Sequence, residues 1–158
     1  MIRIELATHI AAPIERYFNL SRSIDLHMPS THSTGERAIT GVTAGLIGLG
    51  QEVTWLGRHF GLMIMHTSRI TAFDFPQYFQ DRMVRGRFKS FCHDHYFKAE
   101  AESTLMADVM EFEAPFGLLG RVVERVLLRQ HLMKLLLRRN DCIKRVAESE
   151  EWRQFLEN

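Results

Sequence analysis

Hydrophobic and polar positions alternate at the start of this chain. Ile2, Ile4 and Leu6 are interleaved with Arg3, Glu5 and Ala7, which is the period of a strand with one buried face. From Ala12 to Asp25 the period changes. Pro13 stands where a missing N–H costs a helix nothing, and Ile14, Tyr17 and Phe18 then fall on one helical face. A second short helix or turn follows, up to Met28-Pro29. The middle of the chain returns to strand character. Glu52 to Phe60 and Leu62 to Phe73 are long, rich in β-branched and aromatic residues, and joined at Gly61. Phe79 to Val84, Phe88 to Lys98 and Thr104 to Glu113 predict three more strands, the last two forming a hairpin through AEAES at 99–103. With a strand near Glu36–Gly41, the sheet has about seven.

After Pro115 the period becomes helical and stays so. Leu118, Leu119, Val122, Val123, Val126, Leu127, Met133, Leu136, Leu137, Ile143 and Val146 recur at helical spacing over about 30 residues. Such a helix is roughly 45 Å long at 1.5 Å per residue, enough to cross a small domain. A last short helix runs from Glu148 to Leu156 and carries Trp152 and Phe155. Between Gly41 and Gly50 lie four glycines with no Lys-Ser/Thr, so this segment is not a phosphate loop; it predicts a flexible gate at a pocket mouth.

One strand, two short helices, about six strands and one long helix predict an α+β helix-grip architecture. A curved antiparallel sheet of about seven strands closes around the C-terminal helix, in a single domain over residues 1–158. One helix does not fill a wide concave sheet, and the space left over becomes a ligand cavity. The order of elements resembles the START-like or SRPBCC superfamily, which includes birch-pollen allergen relatives, polyketide cyclases and lipid or quinone carriers. Three stretches carry the resemblance: GERAITGVTAGLIGLGQEVTWLGRHFG, SRITAFDFPQYFQDRMVRGRFKSFCHDHYF, and APFGLLG opening a basic helix. It spans essentially the whole chain and resembles bacterial members in particular. It implies the fold and a small-molecule cavity, not one activity, because this scaffold hosts carriers, cyclases, hydrolases and regulators.

The candidate site follows from strand parity. Phe91, His93, His95 and Phe97 share one face of their strand, and Thr104, Met106, Asp108, Met110 and Phe112 share one face of the next. A hairpin that sets Phe97 opposite Thr104 sets His95 opposite Met106 and His93 opposite Asp108, a cross-strand pair within hydrogen-bonding reach. Trp55, Phe91, Met106 and Phe112 offer apolar lining. His93, His95 and Asp108, with His59 or Arg58, are positioned to hold a polar end. Two histidines do not complete a metal site, and a third ligand such as His59, His66 or Asp81 would have to converge from another strand; no metal or cofactor is expected. The expected function is binding of a lipid-, quinone- or polyketide-like molecule by a carrier or sensor without catalysis. The alternative is a cyclase, dehydratase or hydrolase using His93–Asp108 as general base.

Charge narrows the partners. The net charge is +1, which gives no reason for a polyanionic partner, and no base-reading features lie between the cations, so nucleic acid is not expected. The C-terminal helix carries Arg121, Arg125, Arg129, Lys134, Arg138, Arg139, Lys144 and Arg145 against Glu124 and Asp141, a balance of +6. That allows transient contact with an anionic membrane surface. Cys92 and Cys142 have no metal-type spacing, and the first residues have too short an apolar run for a signal peptide. The expectation is a cytoplasmic monomer or homodimer with reduced thiols.

Overall fold

The structure, a computed structural model, describes residues 1–114 and 127–157. The elements are β1 (Ile2–Ile10), α1 (Ile14–Ser21), α2 (Ile24–Ser30), β2 (Arg37–Gly41), β3 (Glu52–His59), β4 (Leu62–Asp74), β5 (Tyr78–Arg85), β6 (Ser90–Glu100), β7 (Ser103–Glu113) and α3 (Arg129–Ala147). A 3-10 turn, Glu150–Trp152, and α4 (Arg153–Leu156) close the chain. The seven strands form one antiparallel sheet in the order β1-β7-β6-β5-β4-β3-β2. It is the α+β helix-grip arrangement.

Strand period decides which face is buried. Along β7 burial alternates without a break, with Thr104, Met106, Asp108, Met110 and Phe112 inward. Helix α1 starts directly after Pro13, whose φ of −59° already suits a helix. It ends at Ser21, and Ser23 starts α2 by accepting the Leu26 N–H on its Oγ at 3.3 Å. That cap divides the helical stretch expected up to Asp25. Phe18 docks α1 onto the sheet, its ring centroid 5.1–5.4 Å from those of Phe73, Phe75, Phe79 and Phe97.

Helix α3 runs against β1, α1 and α2. Ile143 and Val146 complete a core with Tyr17, Phe18, Phe97 and Met106, and Leu136 completes a second with Ile4, Met110 and Phe112. Leu118, Leu119, Val122, Val123, Val126, Arg121, Glu124 and Arg125 lie outside the described residues. No helix among the described residues is long and apolar enough to cross a membrane.

Three sequence expectations change. The β6–β7 hairpin turns at Ala101 and Glu102, with Glu100 opposite Ser103 and Ala101 at a left-handed φ of 55°. The expected register sets Phe97 opposite Thr104; in the structure Phe97 faces Met106, His95 faces Asp108 and His93 faces Met110. A slip of two residues preserves the face each side chain points to. The glycine-rich segment is laced down rather than free. Ile24 N–H donates to Gly45 O (2.9 Å), Gly45 N–H to Asp25 Oδ2 (2.7 Å), Ile47 N–H to Arg22 O (3.2 Å) and Gly50 N–H to Ile70 O (2.9 Å). Finally, Arg139 on α3 is buried, Lys144 bonds His9 O and Glu148, and Arg145 pairs with Glu151. Outside these contacts, the exposed cations of described α3 are Arg129, Lys134 and Arg138.

Gly41 ends β2 at φ 79°, where an added Cβ would lie 2.2 Å from Glu52 O. Gly41→Ala combines left-handed strain with a backbone clash and is expected to cost about 2 kcal/mol or more, read from the urea midpoint at constant slope.

Candidate functional site: a cavity with two polar groups

A cavity of about 640 Å³ lies between the inner face of the sheet, α2 and α3. Parity builds its wall: on β4, Leu62, Ile64, His66, Ser68 and Ile70 face it, while Met63 and Met65 point outward and are about half exposed. Val53, Trp55 and His59 of β3, Phe79 and Asp81 of β5, and Phe91, His93 and His95 of β6 continue the wall. Leu128, His131, Leu132, Leu135 and Leu136 close it from the helix side. Phe60 and Leu62 are 55% and 59% exposed and mark the open rim.

The group beside that rim is centred on Glu36. Its Oε2 lies 2.9 Å from His27 Nε2 and its Oε1 3.1 Å from His59 Nε2, and His59 Nδ1 lies 3.1 Å from His131 Nε2. Gly57 makes room: a Cβ there would stand 2.5 Å from Glu36 Cγ. Burial by itself raises the Glu36 carboxyl, but the hydrogen bonds and charge of His27 and His59 outweigh it and hold the group well below the carboxylate range. A depressed acid contributes stability that is complete above its ordinary value of 4.5 and lost as pH falls below it. Glu36→Gln is therefore expected to lose about 1–3 kcal/mol at pH 7 and progressively less toward pH 3, as followed by urea unfolding at each pH.

The deeper group spans three adjacent strands. Asp81 is paired with His93 between β5 and β6, and His95 with Asp108 between β6 and β7, all on the inner face. His93 Nε2 donates to Asp108 Oδ1 at 2.8 Å, and His95 Nε2 donates to Asp81 Oδ2 at 3.1 Å. His93 Nδ1 lies 3.8 Å from that Asp81 oxygen. His95 Nδ1 lies 2.9 Å from Asp108 Oδ1 at an angle that makes no hydrogen bond. Phe79 stacks on the His95 ring at 4.1 Å. Behind the histidines, Asn140 Nδ2 donates to Asp108 Oδ2 at 2.5 Å, and Arg139 donates to Asn140 Oδ1 (3.1 Å) and Ser21 O (2.9 Å). Asp108 has no exposed surface. Burial alone raises its carboxyl, and the contacts from His93 and His95 bring it well below its ordinary value. Burial, followed by the neighbouring His95, lowers the His93 imidazole. A neutral imidazole thus rests on an ionised carboxylate.

His66 stands on the wall with Nε2 3.0 Å from Ser68 Oγ, and burial lowers its basicity. Of the residues singled out from sequence, Trp55, His59, Phe91, His93 and His95 line the cavity. Asp108 stands behind the histidines. Met106 and Phe112 are packed core side chains with no exposed surface, and Arg58 is exposed on the outer face. The pairing of His93 with Asp108 survives the corrected register because His93 reaches it diagonally. Glu36, His27, His131 and Asn140 were not singled out. Asn140 left a signal, as a polar residue four places after Leu136 and three before Ile143 on the apolar stripe of α3.

No protein-family profile matches the chain, and no curated protein matches it. Solved structures do. The ginseng major latex-like protein 151 from Panax ginseng is 18% identical, covering 94% of this chain and 98% of that one at a TM-score of 0.68. TTHA0849 from Thermus thermophilus is 14% identical, covering 90% and 97% at 0.70. CV1439 from Chromobacterium violaceum is 10% identical, covering 94% and 99% at 0.72. Agreement over nearly the whole length establishes the fold class: the chain has the START-like (SRPBCC) helix-grip fold.

Proposed function

We propose that this chain binds a small, largely apolar molecule with a polar end, and acts as its carrier or sensor. The observation that carries this is the cavity itself. Its 640 Å³ falls within the roughly 300–1,000 Å³ of small-molecule sites, and its wall is mostly aliphatic and aromatic with two clusters of carboxylate and imidazole groups, around Glu36 and around Asp81. Trp55, Ile64, Phe79 and Phe91 supply contact area on the sheet side, and Leu132 and Leu136 supply it from the helix. The Glu36 group at the rim and the Asp81–His93–His95 group deeper in offer alternative polar anchors, so a ligand's orientation is set by which one its polar end prefers. A lipid, a quinone or a polyketide-like ring system has the required chemistry. Native mass spectrometry of gently purified protein is the test. A non-covalent adduct released on denaturation is the expected result; a clean mass together with no saturable uptake of an apolar dye sinks the reading.

One observation favours a second reading. His93 faces the cavity and is anchored through Nε2 on a buried carboxylate, as an oriented general base would be. An enzyme of cyclase, dehydratase or hydrolase type would return the retained molecule with a changed mass after incubation. A carrier returns it unchanged.

A further inference from the structure

The deeper polar group has a geometry that ligand binding alone does not require. The donor atoms of Asp81, His93 and His95 all lie within 4.8 Å of one another, with Asp81 Oδ2 3.1 Å from His95 Nε2 and 3.8 Å from His93 Nδ1. Two imidazole nitrogens and a carboxylate oxygen, each about 2.0–2.2 Å from one cation, would stand roughly 3–3.6 Å apart, so the His95–Asp81 separation fits as it stands and His93 has to draw in to complete one face of a coordination polyhedron. Their surroundings fit the same purpose. The far nitrogen of each histidine, His93 Nε2 and His95 Nδ1, lies 2.8 and 2.9 Å from the same oxygen of Asp108. Metal-binding histidines are typically held as His93 is, with the second ring nitrogen on a carboxylate that fixes ring orientation and tautomer. Asp108 is held in turn by Asn140, on a different element from any of the three ligands.

We propose that Asp81, His93 and His95 form a binding site for a divalent first-row transition metal ion, with Asp108 as the outer carboxylate that orients His93 and lies against His95. His93 is already in the required tautomer, its proton on Nε2 toward Asp108 and its Nδ1 lone pair toward Asp81. His95 changes tautomer. Its proton leaves Nε2, which now faces Asp81, and is carried on Nδ1, the buried nitrogen 2.9 Å from Asp108 Oδ1. The ion takes the place of the hydrogen bond between His95 and Asp81. Two nitrogens and one oxygen select zinc, iron(II), cobalt or their neighbours over calcium and magnesium, which prefer all-oxygen shells. All three ligands line the cavity, so the remaining coordination positions open into it. There a ligand's oxygen could complete the shell, a last step that rests on the cavity's being a binding site.

The test needs no organic ligand, so its failure is separable from failure of the binding proposal. The full chain, treated with chelator and dialysed, is titrated with Co²⁺ by visible absorption and with Zn²⁺ by competition. One equivalent per chain, d–d bands of a low-symmetry cobalt site, and no displacement by excess Ca²⁺ are expected. Asp81→Asn should weaken binding by more than about 100-fold, and Asp108→Asn by about 10–100-fold while leaving one equivalent. Circular dichroism verifies that each variant is folded. Cys92→Ser should bind as the parent does. Absence of saturable binding, wild-type affinity in folded Asp81→Asn, or loss in Cys92→Ser overturns the proposal.

Discussion

Asp108→Ala is expected to cost about 3–5 kcal/mol of stability, measured by urea unfolding at pH 7 with the slope held as a check on two-state behaviour. The carboxylate has no exposed surface, and it accepts from His93 on one oxygen and Asn140 on the other. Its removal leaves the His93 N–H buried without an acceptor, leaves Asn140 Nδ2 with only Thr8 Oγ1 at 3.3 Å, and leaves a void in the sheet. Asp108→Asn keeps the volume and one acceptor oxygen, and should lose less than the alanine. A loss below about 1 kcal/mol in Asp108→Ala would mean that the group is solvated in the native state, and would remove the basis for an oriented His93.

Ile64→Trp is expected to weaken uptake of an anilinonaphthalene sulfonate dye by more than about 10-fold while changing stability by no more than about 1 kcal/mol. The side chain projects from β4 into the cavity, so an indole there occupies space that is empty rather than space already packed. Most core enlargements strain their neighbours; this one should not. Met63→Trp is the control, one residue away on the same strand, outward and 49% exposed. It should bind dye as the parent does. Equal dye uptake in both variants would place the dye elsewhere and sever the cavity from the proposed function. Dye is a surrogate, and the molecule found by native mass spectrometry replaces it once identified.

Much of the architecture was legible in the sequence because it rests on local periodicity. Alternation over Ile2–Leu6 and over Thr104–Phe112, and the helical stripe through Leu136 and Ile143, are properties of neighbouring residues, and the strands and helix follow from them. Parity likewise placed His93, His95 and Asp108 on one face, and it survived a register wrong by two residues because side-chain direction repeats every two. The register itself depended on how many residues the turn near 99–103 uses, which Ala101 decided by taking a left-handed φ that alanine's chemistry does not announce. Glycine spacing predicted a loose gate; the tight loop depends on acceptors supplied by Arg22, Asp25 and Ile70, on other elements.

What the chain alone determined, then, is which residues alternate, which helix is amphipathic, and hence a sheet closing on a helix around a space. What only the tertiary structure decided is who meets across that space. Glu36 joins His27 of α2 and His59 of β3 because Gly57 leaves room for its side chain. Asp81 reaches His93 and His95 because β5 pairs with β6, and Asn140 reaches Asp108 because α3 lies over the sheet. These encounters join residues far apart in sequence, and their partners are set by strand order and helix placement. Periodicity carries the direction of a side chain but not the identity of what it will touch.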